Sequence, residues 1–267
     1  MPSKRNGTSR RTALVTGGSG GIGLELAKVL ARAGFDIALV ARKRDTLEAA
    51  AGQLEGQYDV RVHVFAADLR RSASPESVFD FLANENIPIE VLVNNAGFGL
   101  GGEFADTELT RELEMIQVNI AALTHLTKLF LPPMIKRKSG HILNLASTAA
   151  FQPGPLMAVY YATKAYVLSF SEALAEELRN SGVTVTALCP GPTRSDFAST
   201  ARVGNSRLFT LFGIADAADV AEYGVQAMMQ GRRVAIPGLK NKIVAQANRF
   251  SPRALATRVS RLAQERR

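Results

Sequence analysis

Thr12-Ala13-Leu14-Val15-Thr16-Gly17-Gly18-Ser19-Gly20-Gly21-Ile22-Gly23 is the stretch that decides the fold. Residues 12–16 are a short apolar run with β-branched members, the pattern of a buried strand. Residues 24–33 then take up helical periodicity. A glycine-rich turn between strand and helix lets backbone approach a pyrophosphate, with free N–H groups at the helix start facing its charge. Glycines alone are weak evidence; the strand before them and the helix after them make the reading specific.

The next elements repeat the alternation. Residues 35–41 read as a second strand, 45–54 as a helix, 60–67 as a third strand and 74–86 as a helix with Ser74 and Pro75 at its start. Strands follow at 89–93, 141–146, 183–188 and 232–236, with helices at 110–135, 159–181 and 217–230. Strands that alternate with helices at this spacing need crossover connections, so the sheet is parallel. The expected fold is α/β: a Rossmann-type, doubly wound, seven-stranded sheet with helices on both faces. Ligands on such sheets bind at the C-terminal strand ends, where Asp68, Asn94, Asn95 and Gly97 fall.

The second strand ends in Val40-Ala41-Arg42-Lys43-Arg44. An acid here would bind a ribose 2′-hydroxyl; a guanidinium pairs instead with a 2′-phosphate. The expected cofactor is therefore NADP(H) rather than NAD(H), with Arg42 as the reader. Tyr160 and Lys164 stand four apart within Tyr160-Tyr161-Ala162-Thr163-Lys164, so on a helix they share a face. A tyrosine near pKa about 10 is a poor proton carrier at neutral pH, and a nearby ammonium would favour its phenolate. Ser147, thirteen residues before Tyr160, can hold a substrate oxygen. Thr148 is a neighbouring rival, but the spacing favours Ser147. Tyr161 has Ala165 rather than a lysine four residues on, and reads as packing or pocket wall.

Taken together, these motifs resemble the short-chain dehydrogenase/reductase family over residues 12–237. They stand in family order: TGxxxGxG at Thr16 to Gly23, NNAG at Asn94 to Gly97, the helical Asn119, Ser147, YxxxK at Tyr160 to Lys164, and Pro190-Gly191 with Thr193. The resemblance implies that Tyr160 is the general acid in ketone reduction and that Ser147 hydrogen-bonds the substrate oxygen. It also implies that Lys164 lowers the Tyr160 pKa and binds the nicotinamide ribose, and that Asn119 holds a water linking Lys164 to solvent. Gly17, Ser19, Gly21, Ile22 and Gly23 would carry the pyrophosphate. Asp68 and Leu69 would meet the adenine, Asn95, Ala96 and Gly97 would line the cofactor, and Pro190, Gly191 and Thr193 would reach its carboxamide end. Members of the family pair through the helices around Asn119 and Tyr160, which implies a homodimer or homotetramer.

Substrate choice should lie in segments 98–106, 148–158 and a lid at 194–215. These offer Phe98, Leu100, Phe104, Phe151, Leu156, Met157, Phe197, Leu208, Phe209, Leu211 and Phe212, and few charges. An apolar pocket calls for a hydrophobic ketone or aldehyde of fatty-acyl, polyketide-like or steroid-like type, or the matching alcohol. Beyond residue 238 the chain departs from the minimal family pattern. Leu239, Ile243, Ala247 and Phe250 form one helical stripe. Ser251-Pro252 reads as the cap of a further helix, with Leu255, Val259 and Leu262 on its apolar face and Arg253, Arg258 and Arg261 on a basic one. Such an extension, 238–267, packs on the body or a partner subunit, or lies on an anionic membrane.

Composition bounds these readings. Hydrophobic residues make up 46% of the 267 and charged ones 21%, as in soluble globular proteins. The net charge of +8 would suit nucleic acid, but its distribution argues against that partner. Residues 1–11 carry four basic side chains and no acid; residues 238–267 carry eight against one acid. Without those ends, 12–237 stands at −3. The ends read as a flexible basic lead-in and the helical extension. No apolar run is long enough to span a membrane, and the N-terminus lacks the apolar core of a secretory signal. The single cysteine, Cys189, excludes an internal disulfide and suits the cytoplasm. His63, His125 and His141 are scattered, so no metal site is expected. The rival readings are an NAD(H)-dependent alcohol dehydrogenase of the same fold, and a non-catalytic cofactor-sensing or membrane-peripheral protein.

Overall fold

Seven strands pair side by side in parallel: β1 (Thr12–Thr16), β2 (Asp36–Ala41), β3 (Val62–Ala66), β4 (Ile89–Asn94), β5 (Gly140–Leu145), β6 (Val183–Leu188) and β7 (Val234–Ala235). Their order across the sheet is β3-β2-β1-β4-β5-β6-β7. This computed structural model describes residues 11–194, 197, 201 and 213–265. The expected lead-in and most of the expected lid, including Leu208, Phe209, Leu211 and Phe212, lie outside the described residues.

Strand β1 is buried along its whole length, which is why its sequence runs apolar instead of alternating. On one face α1 (Gly21–Arg32), α2 (Arg44–Gln57) and α7 (Ala217–Met229) bury Leu26, Leu30, Leu47, Val220 and Val225 against the sheet. On the other, α3 (Ser74–Asn84), α5 (Leu123–Arg137) and α6 (Ala158–Glu177) bury Val78, Leu126, Met134 and Leu174. The chain winds one way from β1 to β3 and the other way from β4 on. Adjacent β1 and β4 therefore send their following loops apart and open a crevice at their C-terminal ends.

Five expected bounds and caps are corrected. The expected 110–135 helix is α4 (Leu109–Ile116) and α5 joined by a π-helical segment, Gln117–Ala122. Ser74 does not cap α3; its hydroxyl donates to the carbonyl of Asp68 at 2.7 Å. Ser251 likewise turns back, donating to Ala247 of α8 (Leu239–Phe250), so α9 (Arg253–Gln264) starts without a side-chain cap. The described apolar side chains of these stripes face outward. Leu239 is 73% exposed and Leu255, Val259 and Leu262 are each more than half exposed, whereas Ala245, Ala256, Ser260 and Gln264 are buried. The expected helix 159–181 ends at Glu177, and the expected strand 232–236 shortens to two residues, Val234–Ala235.

Candidate active site

The crevice is a cleft of about 570 Å³. Its floor at one end is the glycine turn after β1. Gly17 takes φ +66°, a left-handed conformation that glycine enters freely, and its N–H donates to the carbonyl of Val40 at 2.7 Å. A Cβ on Gly23 would stand 2.3 Å from the Gly17 oxygen and 2.4 Å from Asn95 Nδ2, so α1 can start this close to the turn only with glycine there. A Cβ on Gly20 would meet no atom within 4 Å. The backbone at Gly20 is thus bare towards the cleft, beside the start of α1, which is what a pyrophosphate needs. The residues fit a dinucleotide.

The turn after β4 is clipped to this cradle. Asn95 Nδ2 donates to the carbonyls of Thr16 and Gly17, at 2.9 and 3.2 Å. The N–H groups of Asn95 and Ala96 donate in return to Thr16 Oγ1 at 3.0 Å. Asn94, one residue earlier, does not line the cleft; it donates to Thr127 on α5 and to Asn144 on the neighbouring strand β5. Arg42 and its neighbour Lys43, both on the cleft wall, stand where β2 ends. Asp68 and Leu69 stand there too, after β3. Arg70 clasps the Asp68 carboxylate and reaches Glu114 at 3.1 Å. The Arg70 hydrogen bonds hold the Asp68 carboxyl below its usual range.

At the other end of the cleft, α6 presents Tyr160 and Lys164 from one face, 8% and 5% exposed. Ser147 follows β5, and its Oγ accepts from the Ala149 N–H at 3.1 Å, which fixes the turn Thr148–Phe151. Lys164 Nζ donates to the Leu145 carbonyl at 2.6 Å and lies 5.8 Å from the centre of the Tyr160 ring. Burial pulls the lysine down to about 8. Burial also pushes the Tyr160 phenol above its ordinary value, and the hydrogen bond with Ser147 works against that rise. Burial is the largest of the influences on this tyrosine. Cys189 is fully buried beside Lys164, with its thiol pushed up to about 12, and so is an inert filler.

Asn119 alone among the expected site residues does not line the cleft. It sits behind it, 1% exposed, on the π-helical segment. Its amide donates to the Phe98 carbonyl at 3.0 Å and to Thr163 at 3.1 Å, and accepts from the Phe98 N–H at 3.1 Å. It ties the loop after β4 to α6. A Cβ on Gly97 would meet Asn119 Oδ1 at 2.9 Å, so this loop lies tight against the amide.

Of the expected substrate residues, Phe98, Met157 and Phe197 line the cleft, with the Phe197 ring 5.1 Å from that of Tyr160. Phe104 does not; it is 63% exposed on the surface. Phe151 packs instead against the cluster that holds Ala245 of α8. Sequence reasoning passed over Lys43, Arg111 and Gln264, all of which line the cleft. Lys43 adjoins Arg42 and was open to the same argument. Arg111, whose guanidinium lies 4.8 Å over the Phe98 ring, and Gln264, at the far end of the chain, carried no local signal.

A parallel sheet with a glycine cradle at its switch point, and a buried serine, tyrosine and lysine at the far end of the same cleft, defines a Rossmann-type oxidoreductase. The family model described as short chain dehydrogenase matches residues 11–205, and the chain belongs to that family. It is 38% identical over 177 residues to a very-long-chain 3-oxoacyl-CoA reductase of Coprinopsis cinerea, covering 65% of this chain and 52% of that protein. The match thus spans about half of that relative's length. With an uncharacterised oxidoreductase of Staphylococcus epidermidis it shares 34% identity over 207 residues, 78% of this chain and 88% of that one. A short-chain dehydrogenase from Sphingobium yanoikuyae, solved in complex with NADPH, superposes with a TM-score of 0.81 at 32% identity, over 90% of this chain and 94% of that chain.

Proposed function

We propose that the protein is an NADPH-dependent carbonyl reductase that converts a hydrophobic ketone or aldehyde to the alcohol. One observation carries this reading: Ser147, Tyr160 and Lys164 stand at one end of a single cleft whose other end has Arg42 and Lys43 in place of an acid. The guanidinium and ammonium suit a 2′-phosphate. When bound, the reduced nicotinamide supplies the hydride to the carbonyl carbon.

The chain's own groups manage the oxygen. Ser147 donates a hydrogen bond to the carbonyl oxygen and fixes its position. Tyr160 gives that oxygen a proton from its phenol. The phenol is protonated at neutral pH and so carries the proton that the carbonyl oxygen takes up. Lys164, held by the Leu145 carbonyl near the ring, offsets the negative charge left on the tyrosine oxygen. Asn119 acts through position, bracing the loop at Phe98 against α6. Residues 12–237 make up the catalytic domain in this reading, 238–267 complete it, and the enzyme is a cytoplasmic homo-oligomer.

The test is NADPH oxidation over a panel of ketones and aldehydes, from small polar to long-chain and polycyclic, with NADH in parallel. Turnover should appear with NADPH on the apolar members. Tyr160→Phe should lower kcat about a hundredfold to ten-thousandfold while NADPH still binds. Near-normal turnover by that variant would reject the assignment.

A further inference from the structure

The C-terminal helix α9 reaches into the cleft. Gln264, its last residue, is 5% exposed and lines the same cavity as Tyr160, Tyr161, Met157 and Phe197. Its Nε2 donates to the Tyr161 hydroxyl, while its Oε1 is buried with no hydrogen-bond partner among the described residues. Ser260, one turn earlier on the same face, is 7% exposed and faces the Tyr161 phenol. The Tyr161 ring packs face-down on Gly154, where a Cβ would stand 2.2 Å from its atoms, and its centre lies 6.1 Å from that of Tyr160. From outside, Arg261 pairs with Glu103 at 3.1 Å and pins α9 to the loop after β4.

Polar groups at such a place need a reason. The surrounding wall is apolar, so an amide oxygen without a partner is costly unless a ligand supplies a donor. The phenol of Tyr161 anchors the other end of the amide, so the oxygen is oriented rather than free to swing away. The packed face of α9 is small and polar while its apolar side chains face outward. The helix is thus applied to the body by the face that serves the cleft.

We infer that Gln264, held by Tyr161, is a specificity-determining residue: its amide oxygen accepts a hydrogen bond from a hydroxyl or N–H on the substrate, away from the reacting carbonyl. The substrate is then a hydrophobic ketone that carries a second polar group, one tyrosine ring away from the catalytic phenol. This rests on the carbonyl-reductase reading above and narrows its substrate class.

The experiment uses the full chain and medium-chain methyl ketones in matched pairs, with and without a terminal hydroxyl. The readout is the ratio of kcat/KM within each pair. Wild type should favour the hydroxylated member at the chain length that spans the gap by about tenfold, the scale of one buried hydrogen bond. Gln264→Leu should bring the ratio close to one, mainly through KM, and Gln264→Glu, which keeps an acceptor oxygen, should preserve it. Tyr161→Phe, which frees the amide, should lower the ratio in part and guards against a Gln264→Leu chain that does not fold. A ratio unchanged by Gln264→Leu and Tyr161→Phe overturns the inference, as does a wild type with no preference at any length. If wild type reduces no ketone, the reductase reading fails separately. The same pairs are then compared by calorimetric affinity for the NADPH-loaded protein, where a Gln264-dependent preference upholds the anchor and its absence overturns it.

Discussion

At the scale of single residues, the site depends on two buried groups whose proton affinities are moved in opposite directions by one cause. Burial raises the Tyr160 phenol and lowers the Lys164 ammonium to about 8. For the lysine this has a consequence for stability. The unfolded chain keeps that proton up to its ordinary 10.5, while the folded chain releases it near 8. Between those values unfolding takes up a proton, so folding stability rises with pH. Replacing the group in Lys164→Met should flatten that rise, by roughly 3 kcal/mol in all. Urea midpoints of both proteins at pH 7.5 and pH 10 give the comparison; parallel slopes would mean that the lysine is not desolvated as the fold suggests. At the opposite end of the cleft, Arg42→Ala should weaken NADPH about tenfold to a hundredfold and leave NADH nearly unchanged, as loss of a charged hydrogen bond to phosphate requires. Fluorescence titration with both nucleotides reads this directly, and equal losses would exclude a 2′-phosphate role.

At the scale of elements, the β1–turn–α1 unit is the least tolerant part of the molecule. Gly23→Ala would drive a methyl group to 2.3 Å from the Gly17 oxygen, and is expected to cost about 1–3 kcal/mol as well as NADPH affinity. Gly20→Ala meets no atom within 4 Å, so it should melt like wild type yet bind NADPH more weakly. Thermal melts paired with nucleotide titrations separate the two cases. This unit was legible in the sequence because a run of glycines between an apolar strand and a helix is tolerated only where backbone must turn sharply and stay bare. The strands were legible for a related reason: a fully buried parallel strand such as β1 must be continuously apolar. The π-helical segment at Asn119 was not, since Gln117 to Ala122 contain no breaker, and the contacts of Asn119 with Phe98 and Thr163 join parts of the chain far apart in sequence. What the faces of α8 and α9 meet stayed open in the sequence because periodicity locates the apolar side of a helix, not the side that finds a partner. Ala256, Ser260 and Gln264 stand four apart, a regular stripe of a kind that hydrophobicity does not register.

At the scale of the whole molecule, two groups of exposed apolar side chains stand out among the described residues. Leu109, Leu113 and Ile116 on α4 are 67%, 55% and 38% exposed, and Tyr166 on α6 is 38% exposed. They lie on the helices through which the family resemblance implies pairing. Leu113→Glu should therefore shift a dimer towards monomer, measured as mass by light scattering across a dilution series; an unchanged mass would move the interface elsewhere. The second place is the outward side of α8 and α9, where Leu239, Ile243, Leu255, Val259 and Leu262 lie among exposed lysines and arginines. Among the described residues no helix is long and apolar enough to cross a membrane. Among the described residues, helix α9 itself buries three side chains, Ala256, Ser260 and Gln264, and pairs through Arg261 with Glu103. The cradle is made within one continuous strand–turn–helix, whereas the part of the cleft wall that Gln264 supplies is borrowed from nearly 250 residues further along the chain. The two halves of the cleft therefore differ in cooperative stability. Under mild heat or denaturant the wall should detach in a local opening that leaves the sheet intact, so the enzyme would become less choosy before it lost its grip on the nucleotide.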